Sequence, residues 1–420
     1  MIGVIADDFT GATDCAVAFR RAGLRTVILF HADHTTALPD NDVTVIALKN
    51  RTINPDAAIE QSLAALAWLS AHGATQIFFK YCSTFDSHAR GNIGPVADAL
   101  HAALGASRAV FVPASPEHLR TQYMGHLFVD RVLLSESPMR HHPLTPMTES
   151  YLPKILAPQT RHNVALIEHV DVRLGADRIG ERLSDAEQHG EPYVFVDAIS
   201  NHDLDAIACA CADDVLVTGA AGLAGALGVA HARRLGVRPV TERAARTGRS
   251  GSSSVVLAGS CSRRTLEQID HMKRRGHPSF RLDALQSPDS AVLAEQALGW
   301  FDRQQFEMGP LIYSSLSPHE LGHAQKTLGS EHASRILESA MGRIASGLVE
   351  RGVNALVVAG GETSGAVVTA LQVQGGVIGE EAAPGVPWIL TTGARPMALL
   401  LKSGNFGDRE LLSEAAMGQR

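Results

Sequence analysis

The sequence predicts an α/β protein of two domains, each a mostly parallel sheet flanked by helices, with a cleft between the domains. Short apolar segments of strand length alternate along the chain with segments that have helical spacing, which is the pattern of β-α-β units. Small residues are abundant and only 5% of residues are aromatic, a composition that suits close packing of helices on a sheet. The length of 420 residues exceeds one ordinary hydrophobic core, so two domains are expected.

Composition and charge exclude several classes of protein. The net charge is −7, whereas proteins that bind nucleic acids usually carry a basic face, so no nucleic-acid partner is expected. No apolar run reaches membrane-spanning length, and the first residues lack the basic and long apolar regions of a signal peptide. The five cysteines are odd in number and lack zinc-ligand spacing, which indicates free thiols and a cytoplasmic location.

Two adjacent aspartates end the first predicted strand, which covers residues 1–6. In open α/β sheets, ligands bind at the carboxyl ends of the strands, and Asp7 and Asp8 lie at that position. The two carboxylates repel each other, so the pair is easier to explain if a cation or polar substrate lies between them, or if one acts as a base. The alternative is that one aspartate caps the following helix and the other faces water.

The next two predicted strands cover residues 26–30 and 43–48. A helix is predicted over 55–72, because its apolar residues recur at helical spacing. Lys49 and Arg51 come directly after the second of these strands. They either meet an acid group or belong to a solvated loop.

A polar segment over residues 80–92 separates a strand at 76–80 from a helix at 95–104. Its candidate binding residues are cationic or carry a hydroxyl group: Lys80, Ser83, Thr84 and Arg90. Such a mixture suits a carboxylate or phosphate on a small polyol. A long polar loop between apolar elements is more often functional than structural.

The rest of the N-terminal half continues the same alternation. Strands are predicted at 108–113, 163–167, 192–197 and 215–218, with a hairpin at 120–129 and a helix at 226–235. A turn of small residues over 218–225 either admits a ligand close to the backbone or serves close packing. His141 and His142 are adjacent in a coil, and such pairs seldom converge on one ion, so no metal site is predicted.

A basic, glycine- and serine-rich segment over residues 238–254 is the best linker candidate, and it divides the chain into domains 1–237 and 255–420. The second domain opens with a strand at 255–258 and a small turn before a helix. Ser260 and Ser262 in this turn are candidate phosphate contacts. Further elements are predicted at 279–282, 310–314, 340–351 and 388–391.

A glycine turn follows a buried strand at residues 356–358. The glycines Gly360 and Gly361 let a ligand approach the backbone, and the next helix offers free N–H groups, an arrangement that suits phosphate. Glu362 and Thr363 lie between the strand and a helix predicted at 366–371. The alternative is a tight loop in which Thr363 caps the helix. The segment has neither the Gly-x-Gly-x-x-Gly spacing nor a Walker loop.

Near the end of the chain, Lys402 and Gly404 stand in a glycine-rich loop that either closes over a nucleotide or forms a surface turn.

Several of these stretches together resemble the four-carbon acid sugar kinase family. They are Ile5-Ala-Asp-Asp-Phe-Thr-Gly-Ala12, Lys80 with Ser83-Thr84 and Arg90-Gly91-Asn92, residues 218–224, residues 256–262, Gly360-Gly-Glu-Thr-Ser-Gly365 and Leu401-Lys-Ser-Gly-Asn-Phe406. The resemblance runs from end to end in the order of the family. It is strongest to the members that act on 3-oxo-tetronate, because of residues 80–87, 125–128 and 142–148. Residues 85–89 lengthen the segment before Arg90.

The resemblance implies ATP-dependent phosphorylation of the C4 hydroxyl of 3-oxo-tetronate. It implies that the N-terminal domain binds the acid through Asp7, Asp8, Thr10, Lys80, Ser83, Thr84 and Arg90, with Asp8, or else Asp7, as the catalytic carboxylate. ATP is expected on Ser260, Ser262, Gly360, Gly361, Glu362, Thr363 and Gly404. Mg²⁺ is expected with ATP, held by phosphate oxygens and water rather than by a protein metal site.

Two other functions remain open. A sibling kinase of the family would act on threonate or erythronate, and a protein of another class would bind a sugar acid without catalysis. A dehydrogenase is disfavoured because no Gly-x-Gly-x-x-Gly follows a strand. The monomer and the homodimer both remain open.

Overall fold

The computed structural model describes residues 1–30, 38–141, 145–238, 254–304, 307–392 and 395–420. The chain divides into two compact units, Met1–Glu242 and Arg243–Arg420, referred to below as the N-terminal and C-terminal units. The predicted linker, residues 238–254, lies outside the described residues except at its two ends, and so does His142. Each unit is an α/β sheet flanked by helices, as the sequence predicts.

The N-terminal unit contains eleven strands and eight α-helices within the described residues. The strands are β1 (Ile2–Ala6), β2 (Thr26–Leu29), β3 (Val43–Ala47), β4 (Gln76–Lys80), β5 (Ala109–Val112), β6 (Arg120–Tyr123), β7 (His126–Val129), β8 (Val132–Leu133), β9 (Val164–Ile167), β10 (Tyr193–Val196) and β11 (Leu216–Gly219). The helices are α1 (Phe9–Arg21), α2 (Pro55–Ala71), α3 (Ile93–Leu104), α4 (Leu152–Leu156), α5 (His169–Val172), α6 (Ala176–Gln188), α7 (Asn201–Ala210) and α8 (Ala221–Leu235).

The main sheet of this unit has the strand order β2-β3-β1-β4-β11-β5-β10-β9, and all of its pairs are parallel. Strand β1 therefore lies between β3 and β4, and the carboxyl ends of these three strands meet at one edge. All five residues of β1 are buried, because helices cover both faces of a parallel sheet. Strands β6, β7 and β8 form a separate small antiparallel sheet.

A cluster of aromatic rings anchors the polar segment that follows β4. Phe85 is fully buried, with its ring centroid 5.2 Å from that of Tyr81 and 5.6 Å from that of Phe195. Its backbone has a φ of 49°, a left-handed conformation that is unfavourable for a bulky residue. Burial of the ring offsets this strain, so the segment has a defined path between the sheet and α3.

The C-terminal unit contains seven strands and six α-helices within the described residues. The strands are β12 (Val255–Ala258), β13 (Ser279–Arg281), β14 (Leu311–Tyr313), β15 (Ala355–Ala359), β16 (Gly375–Ala383), β17 (Val386–Thr391) and β18 (Ala398–Lys402). The helices are α9 (Arg263–Arg274), α10 (Ser290–Asp302), α11 (Pro318–Leu328), α12 (Ser330–Glu350), α13 (Gly361–Ala370) and α14 (Leu411–Ala416). The strand order is β13-β14-β12-β15-β18-β17-β16, parallel as far as β18 and antiparallel beyond it.

Two helices begin earlier than the sequence indicates. A turn is predicted over residues 218–225, but α8 begins at Ala221, and a helix is predicted at 366–371, but α13 begins at Gly361. Glycine lowers helix propensity, yet small residues let α8 lie against its neighbour. In the part predicted as a turn, a Cβ on Gly222 would lie 3.0 Å from the side chain of Leu204 in α7, and one on Gly225 would lie 3.6 Å from that of Ala18 in α1. Packing between the helices therefore outweighs local propensity.

Strand β16 is absent from the sequence prediction. Its segment contains glycines and glutamates rather than a clean alternation of apolar residues. Antiparallel pairing with β17 specifies the strand, and that contact forms only in the folded unit. Within the described residues, no helix is long and apolar enough to cross a membrane.

Candidate functional site

The first candidate site lies where β1 ends and α1 begins. Asp8 is the N-cap of α1, with an extended backbone, and its Oδ1 accepts a hydrogen bond of 3.1 Å from the N–H of Gly11. Its Oδ2 accepts a hydrogen bond of 2.8 Å from the hydroxyl of Thr10. Asp8 therefore performs the capping role that the sequence allows as an alternative, while its side chain stays 27% exposed.

Arg51 compensates the charge of the two aspartates. Its Nε and Nη2 each donate a hydrogen bond of 2.8 Å to the carboxylate of Asp7, and Nη2 also donates one of 2.7 Å to Oδ1 of Asp8. This bidentate pairing accounts for how two neighbouring carboxylates lie side by side at low exposure. The side chain of Asp7 is only 7% exposed, so Asp8 is the more accessible of the two.

Lys80 lies near the same carboxylates, on the other neighbour of β1, and acts on them through its charge. It ends β4 and is 4% exposed. A Cβ on Gly11 would lie 2.4 Å from Nζ of Lys80 and 2.3 Å from Oδ1 of Asp8. The ammonium group and the carboxylate thus both lie against the first turn of α1, and only glycine leaves them this room.

The charges fix the protonation state of the cluster. Burial alone would raise the pKa of Asp8, but Arg51 and Lys80, with hydrogen bonds from Thr10 and Gly11, lower it below its usual value. Burial alone would lower the pKa of Lys80, but Asp8 and Asp7 raise it. The cluster therefore holds an ionised Asp8 beside a protonated Lys80 near neutral pH.

The side-chain amide of Asn92 holds the loop that carries Arg51. Its Nδ2 donates to the carbonyl oxygens of Asn50 at 2.7 Å, Ile53 at 3.0 Å and Arg51 at 3.2 Å. Asn92 is 8% exposed. The amide thereby fixes the backbone from which the guanidinium reaches Asp7.

The remaining predicted residues of this unit are placed differently. Thr84 is buried, and its hydroxyl donates a hydrogen bond of 2.6 Å to Asp86, with Ser83 half-buried in the same turn. Arg90 is exposed and lines a shallow hollow at the start of α2 and α3, whose described lining contains none of the cluster residues. The structure thus brings Asp7, Asp8, Thr10 and Lys80 together, and Arg90 lies outside that group.

A cavity of about 310 Å³ opens in the same unit along α1 and α8. Its lining includes Asp14, Ser115, His118 and Gly222. Burial raises the pKa of Asp14, against the opposing charge of Lys80, so the cavity is electrostatically connected to the cluster. Its volume suits a small polar molecule.

The second candidate site lies in the C-terminal unit, where three turns follow the adjacent strands β12, β15 and β18. A Cβ on Gly259 would lie 2.1 Å from Oγ1 of Thr363, and one on Gly404 would lie 2.5 Å from Oγ of Ser260. Gly360 has a φ of 128°, a conformation that favours glycine. The three turns therefore touch one another through positions that admit no side chain.

Two helices direct their N-terminal ends to these turns. Helix α13 begins at Gly361, so Glu362 and Thr363 belong to its first turn, whose N–H groups have no acceptor within the helix. Helix α9 is capped by Ser262, which accepts from the N–H of Thr265 at 3.2 Å and donates to the carbonyl of Gly404 at 2.6 Å. Converging N-terminal ends and close glycine backbones make a site for an anion such as phosphate.

Lys402 holds the last of the three turns from inside the unit. It is fully buried, and its Nζ donates to the carbonyls of Ser403 and Gly404, both at 2.9 Å, and to Oγ1 of Thr265 at 3.0 Å. Burial, reinforced by the charge of Arg264, lowers the pKa of Lys402 to about 7.

Sequence reasoning did not assign two residues of these sites. Arg51 was weighed either as the partner of an acid group or as part of a solvated loop, without being assigned to a site, and the structure shows the first alternative; the signal that could identify it is a cation directly after the strand that neighbours β1. Asn92 appears in a family-like motif, but no local pattern shows that its amide binds a backbone 42 positions away. In the described part of the chain, no group of three or more His, Cys, Asp or Glu side chains could hold a metal ion.

Replacing Asn92 by alanine is expected to lower the free energy of unfolding by about 1–3 kcal/mol, because buried carbonyls lose their donor. Urea denaturation measures this change. The control is Asn163→Ala, which removes an exposed hydrogen bond to Gly190 and is expected to cost under about 0.5 kcal/mol. Equal losses in the two variants would contradict the role given to Asn92.

Replacing Lys402 by methionine is expected to change the pH dependence of stability. The pKa in the folded state, about 7, lies below that of an unfolded lysine, about 10.4, so the unfolded state binds more protons between these values. The unfolding free energy of the natural protein, measured relative to Lys402→Met, therefore rises by about 1–4 kcal/mol from pH 7 to pH 10 and falls again as pH drops.

The control for that measurement is Lys326→Met, a change at an exposed lysine of the same unit. Its unfolding free energy should follow the natural protein across the same pH range. A constant difference between the natural protein and Lys402→Met would mean that Lys402 keeps an ordinary pKa.

Models of two protein families match the chain in order. Residues 2–227 match a sugar-binding N-terminal domain, and residues 255–412 match a nucleotide-binding C-terminal domain. The first match contains the carboxylate cluster, and the second contains the three glycine turns.

Several curated proteins that are similar to the full chain are named 3-oxo-tetronate kinase. A 3-oxo-tetronate kinase of Pseudomonas fluorescens is 45% identical over 421 residues, covering 100% of this chain and 97% of that protein. Proteins of the same name from Cupriavidus necator and Salmonella typhimurium are 45% and 41% identical; each alignment covers 99% of this chain, and 96% and 98% of the respective relatives.

Solved structures agree with the fold. A crystal structure from Salmonella typhimurium LT2 has a TM-score of 0.90 and 40% identity, covering 100% of this chain and 98% of that one. One from Haemophilus influenzae has a TM-score of 0.83 and 40% identity, covering 99% of both chains. The chain belongs to the four-carbon acid sugar kinase family, with a sugar-binding domain followed by a nucleotide-binding domain.

Proposed function

We propose that the protein is a kinase that transfers the γ-phosphate of ATP to the C4 hydroxyl of 3-oxo-tetronate, giving 3-oxo-tetronate 4-phosphate and ADP. The observation that carries this proposal is the ionised Asp8, held between two cations at the sheet edge of the sugar-binding unit. The 3-oxo-tetronate kinases of 40–45% identity along the whole chain supply the substrate.

Lys80 and Arg51 give the acid-binding site its positive charge. Arg51 is occupied by both aspartates, so Lys80 is the cation we assign to the carboxylate of the substrate. Asp8 is assigned to the attacking hydroxyl, because it is the more exposed aspartate and Asp7 is saturated by the guanidinium. Thr10, Ser83, Thr84 and Arg90 stay predicted substrate contacts.

The low pKa of Asp8 favours orientation of the hydroxyl over early removal of its proton. The hydroxyl oxygen forms a bond to the γ-phosphorus while the bond from that phosphorus to the bridging oxygen of ADP breaks. The hydroxyl proton leaves late, through the carboxylate of Asp8 to solvent. Phosphoryl transfer through a loose transition state depends mainly on positioning and on charge stabilisation, and the charged groups of this cluster can provide both.

The phosphates of ATP are assigned to the three glycine turns. The free N–H groups of Gly361, Glu362 and Thr363 lie in the first turn of α13. Ser260 and Gly404 form the rest of the phosphate-binding surface. Ser262 acts through its bond to the carbonyl of Gly404. Mg²⁺ would neutralise phosphate charge when bound, held by phosphate oxygens and water.

The domain boundaries are 1–237 and 255–420, joined by the linker 238–254. The enzyme works in the cytoplasm, where ATP is available. It is a phosphotransferase with an alcohol acceptor, whether it acts as a monomer or a homodimer.

Release of ADP tests the function. With Mg-ATP, turnover is expected on 3-oxo-tetronates and not on threonate or erythronate of either hand, measured by an assay coupled to ADP. Turnover only on the reduced acids would make the protein a sibling kinase. No ADP release with any acid would leave a protein that binds sugar acids without catalysis.

Replacing Asp8 by asparagine is expected to lower kcat by about 10²–10⁴, as for a positioned catalytic carboxylate. Asparagine is an equally good N-cap but carries no charge to offset Arg51 and Lys80, so the melting temperature should fall, and turnover is compared at a temperature where both proteins are folded. Because the pKa of Asp8 is lowered, protonation of this carboxylate should not limit turnover at any pH above the ordinary aspartate pKa of about 3.9.

The control is Asp289→Asn, the same change at the N-cap of α10, where the side chain accepts from Ala291. Near-normal turnover of Asp8→Asn would remove Asp8 from the mechanism and leave Asp7 as the remaining candidate.

A further inference from the structure

We propose that Gln159 is a positioning residue of the acid-binding site, because its side-chain amide fixes the loop from Ser87 to Gly94, which carries Arg90. The inference rests on the proposed function, since Arg90 is a predicted contact of the sugar acid. Gln159 lies outside the polar segment over 80–92, at the end of the short turn Ala157–Gln159 that follows α4. It is 8% exposed.

One oxygen of the amide closes this loop at both of its ends. Oε1 of Gln159 accepts a hydrogen bond of 2.9 Å from the hydroxyl of Ser87 and one of 3.3 Å from the backbone N–H of Gly94. Nε2 donates to the carbonyl of Ile155 at 2.8 Å, so the amide is held in the orientation that directs Oε1 to the loop. Ser87 is buried as well, so little water competes for these bonds.

The bond to Gly94 takes the place of a side-chain cap on α3. The first N–H groups of a helix have no acceptor within it, and the N-cap side chain commonly supplies one. Asn92 is the N-cap of α3 but makes no such bond, and its amide instead donates to the loop that contains Arg51. Gln159 supplies the acceptor in its place, so the two amides together fix the start of α3.

Close packing fits the loop to Gln159. A Cβ on Gly94 would lie 2.5 Å from Cβ of Gln159. A Cβ on Gly91 would lie 2.0 Å from Oγ of Ser87. Both positions therefore admit only glycine. Arg90 is exposed next to Gly91 and lines the same shallow hollow as Gln159, so the side chain predicted to meet the acid stands on a loop whose path Gln159 determines.

Gln159→Leu tests the inference, because leucine is of similar size and forms none of the three hydrogen bonds. The KM for 3-oxo-tetronate should rise about tenfold, roughly the change in affinity that accompanies the loss of a buried hydrogen bond. The KM for ATP and kcat should stay within about twofold, because Asn92 keeps its own bonds to the loop of Arg51 and Asp8 stays in place. Assays of ADP release, at a temperature where every variant is folded, measure the three constants.

Gln76→Leu is the matched control. Gln76 begins β4, at the opposite end of that strand from Lys80, and its Nε2 donates to three carbonyls, including that of Asp214 at 2.8 Å. The control should therefore lose stability to urea as Gln159→Leu does, while all three kinetic constants stay those of the natural protein.

Ser87→Ala distinguishes the hydrogen bond from general packing. It removes one of the two donors to Oε1 and should raise the KM for 3-oxo-tetronate by less than Gln159→Leu does. The double variant should have the same KM as Gln159→Leu alone, because both changes break one bond. Additive effects on KM would contradict the inference.

An unchanged KM for 3-oxo-tetronate in folded Gln159→Leu protein would overturn the inference, and so would an equal rise in Gln76→Leu. Hydrogen exchange of the backbone N–H groups of residues 88–94 checks the loop without turnover. Exchange should be faster in Gln159→Leu than in the natural protein, and equal exchange would also overturn the inference. Failure of the proposed function is a different result, namely no ADP release by the natural protein with any four-carbon acid, and the calorimetric dissociation constant of 3-oxo-tetronate would then replace its KM.

Discussion

The N-terminal site depends on one ion-pair arrangement, in which Arg51 binds both aspartates that follow β1. Without a cation, Asp7 and Asp8 would repel each other, and at least one would take up a proton or turn to solvent. The guanidinium group of Arg51 donates two hydrogen bonds to the carboxylate of Asp7 and one to that of Asp8. Asp8 therefore stays ionised and is the more accessible of the two aspartates. The parallel order β3-β1-β4 makes this possible, because it ends all three strands at one edge.

Because these side chains are largely buried, their pairing determines whether the cluster stabilises the folded protein. Removing charges from water is costly, and the cost is recovered only where each charge has well-placed partners. Asp8 has four such partners, counting Arg51, Lys80, Thr10 and Gly11. Asn92 gives the backbone partners in the same way, because its amide donates hydrogen bonds to the carbonyls of the loop that contains Arg51. The result is a preorganised cluster that need not rearrange when a charged substrate arrives.

The sequence was sufficient for features that depend on local pattern. The sheet class, most strands, the aspartates at the end of β1 and the glycine turn at Gly360 all follow from strand ends and turn residues. Arg51 could not be assigned in the same way, because its partners are 43 and 44 positions away and depend on which strands are neighbours. The start of α8 and the existence of β16 likewise depend on packing and pairing, which local propensity does not specify.

The nucleotide-binding unit reaches a comparable site by different means. Its anion site consists of backbone from three turns, and the close approaches at Gly259, Gly360 and Gly404 leave no room for side chains. Lys402 holds the third turn in place, because its buried Nζ donates hydrogen bonds to the carbonyls of Ser403 and Gly404. That lysine is buried with only a hydroxyl and two carbonyls as hydrogen-bond partners, whereas the charged groups of the N-terminal cluster neutralise one another.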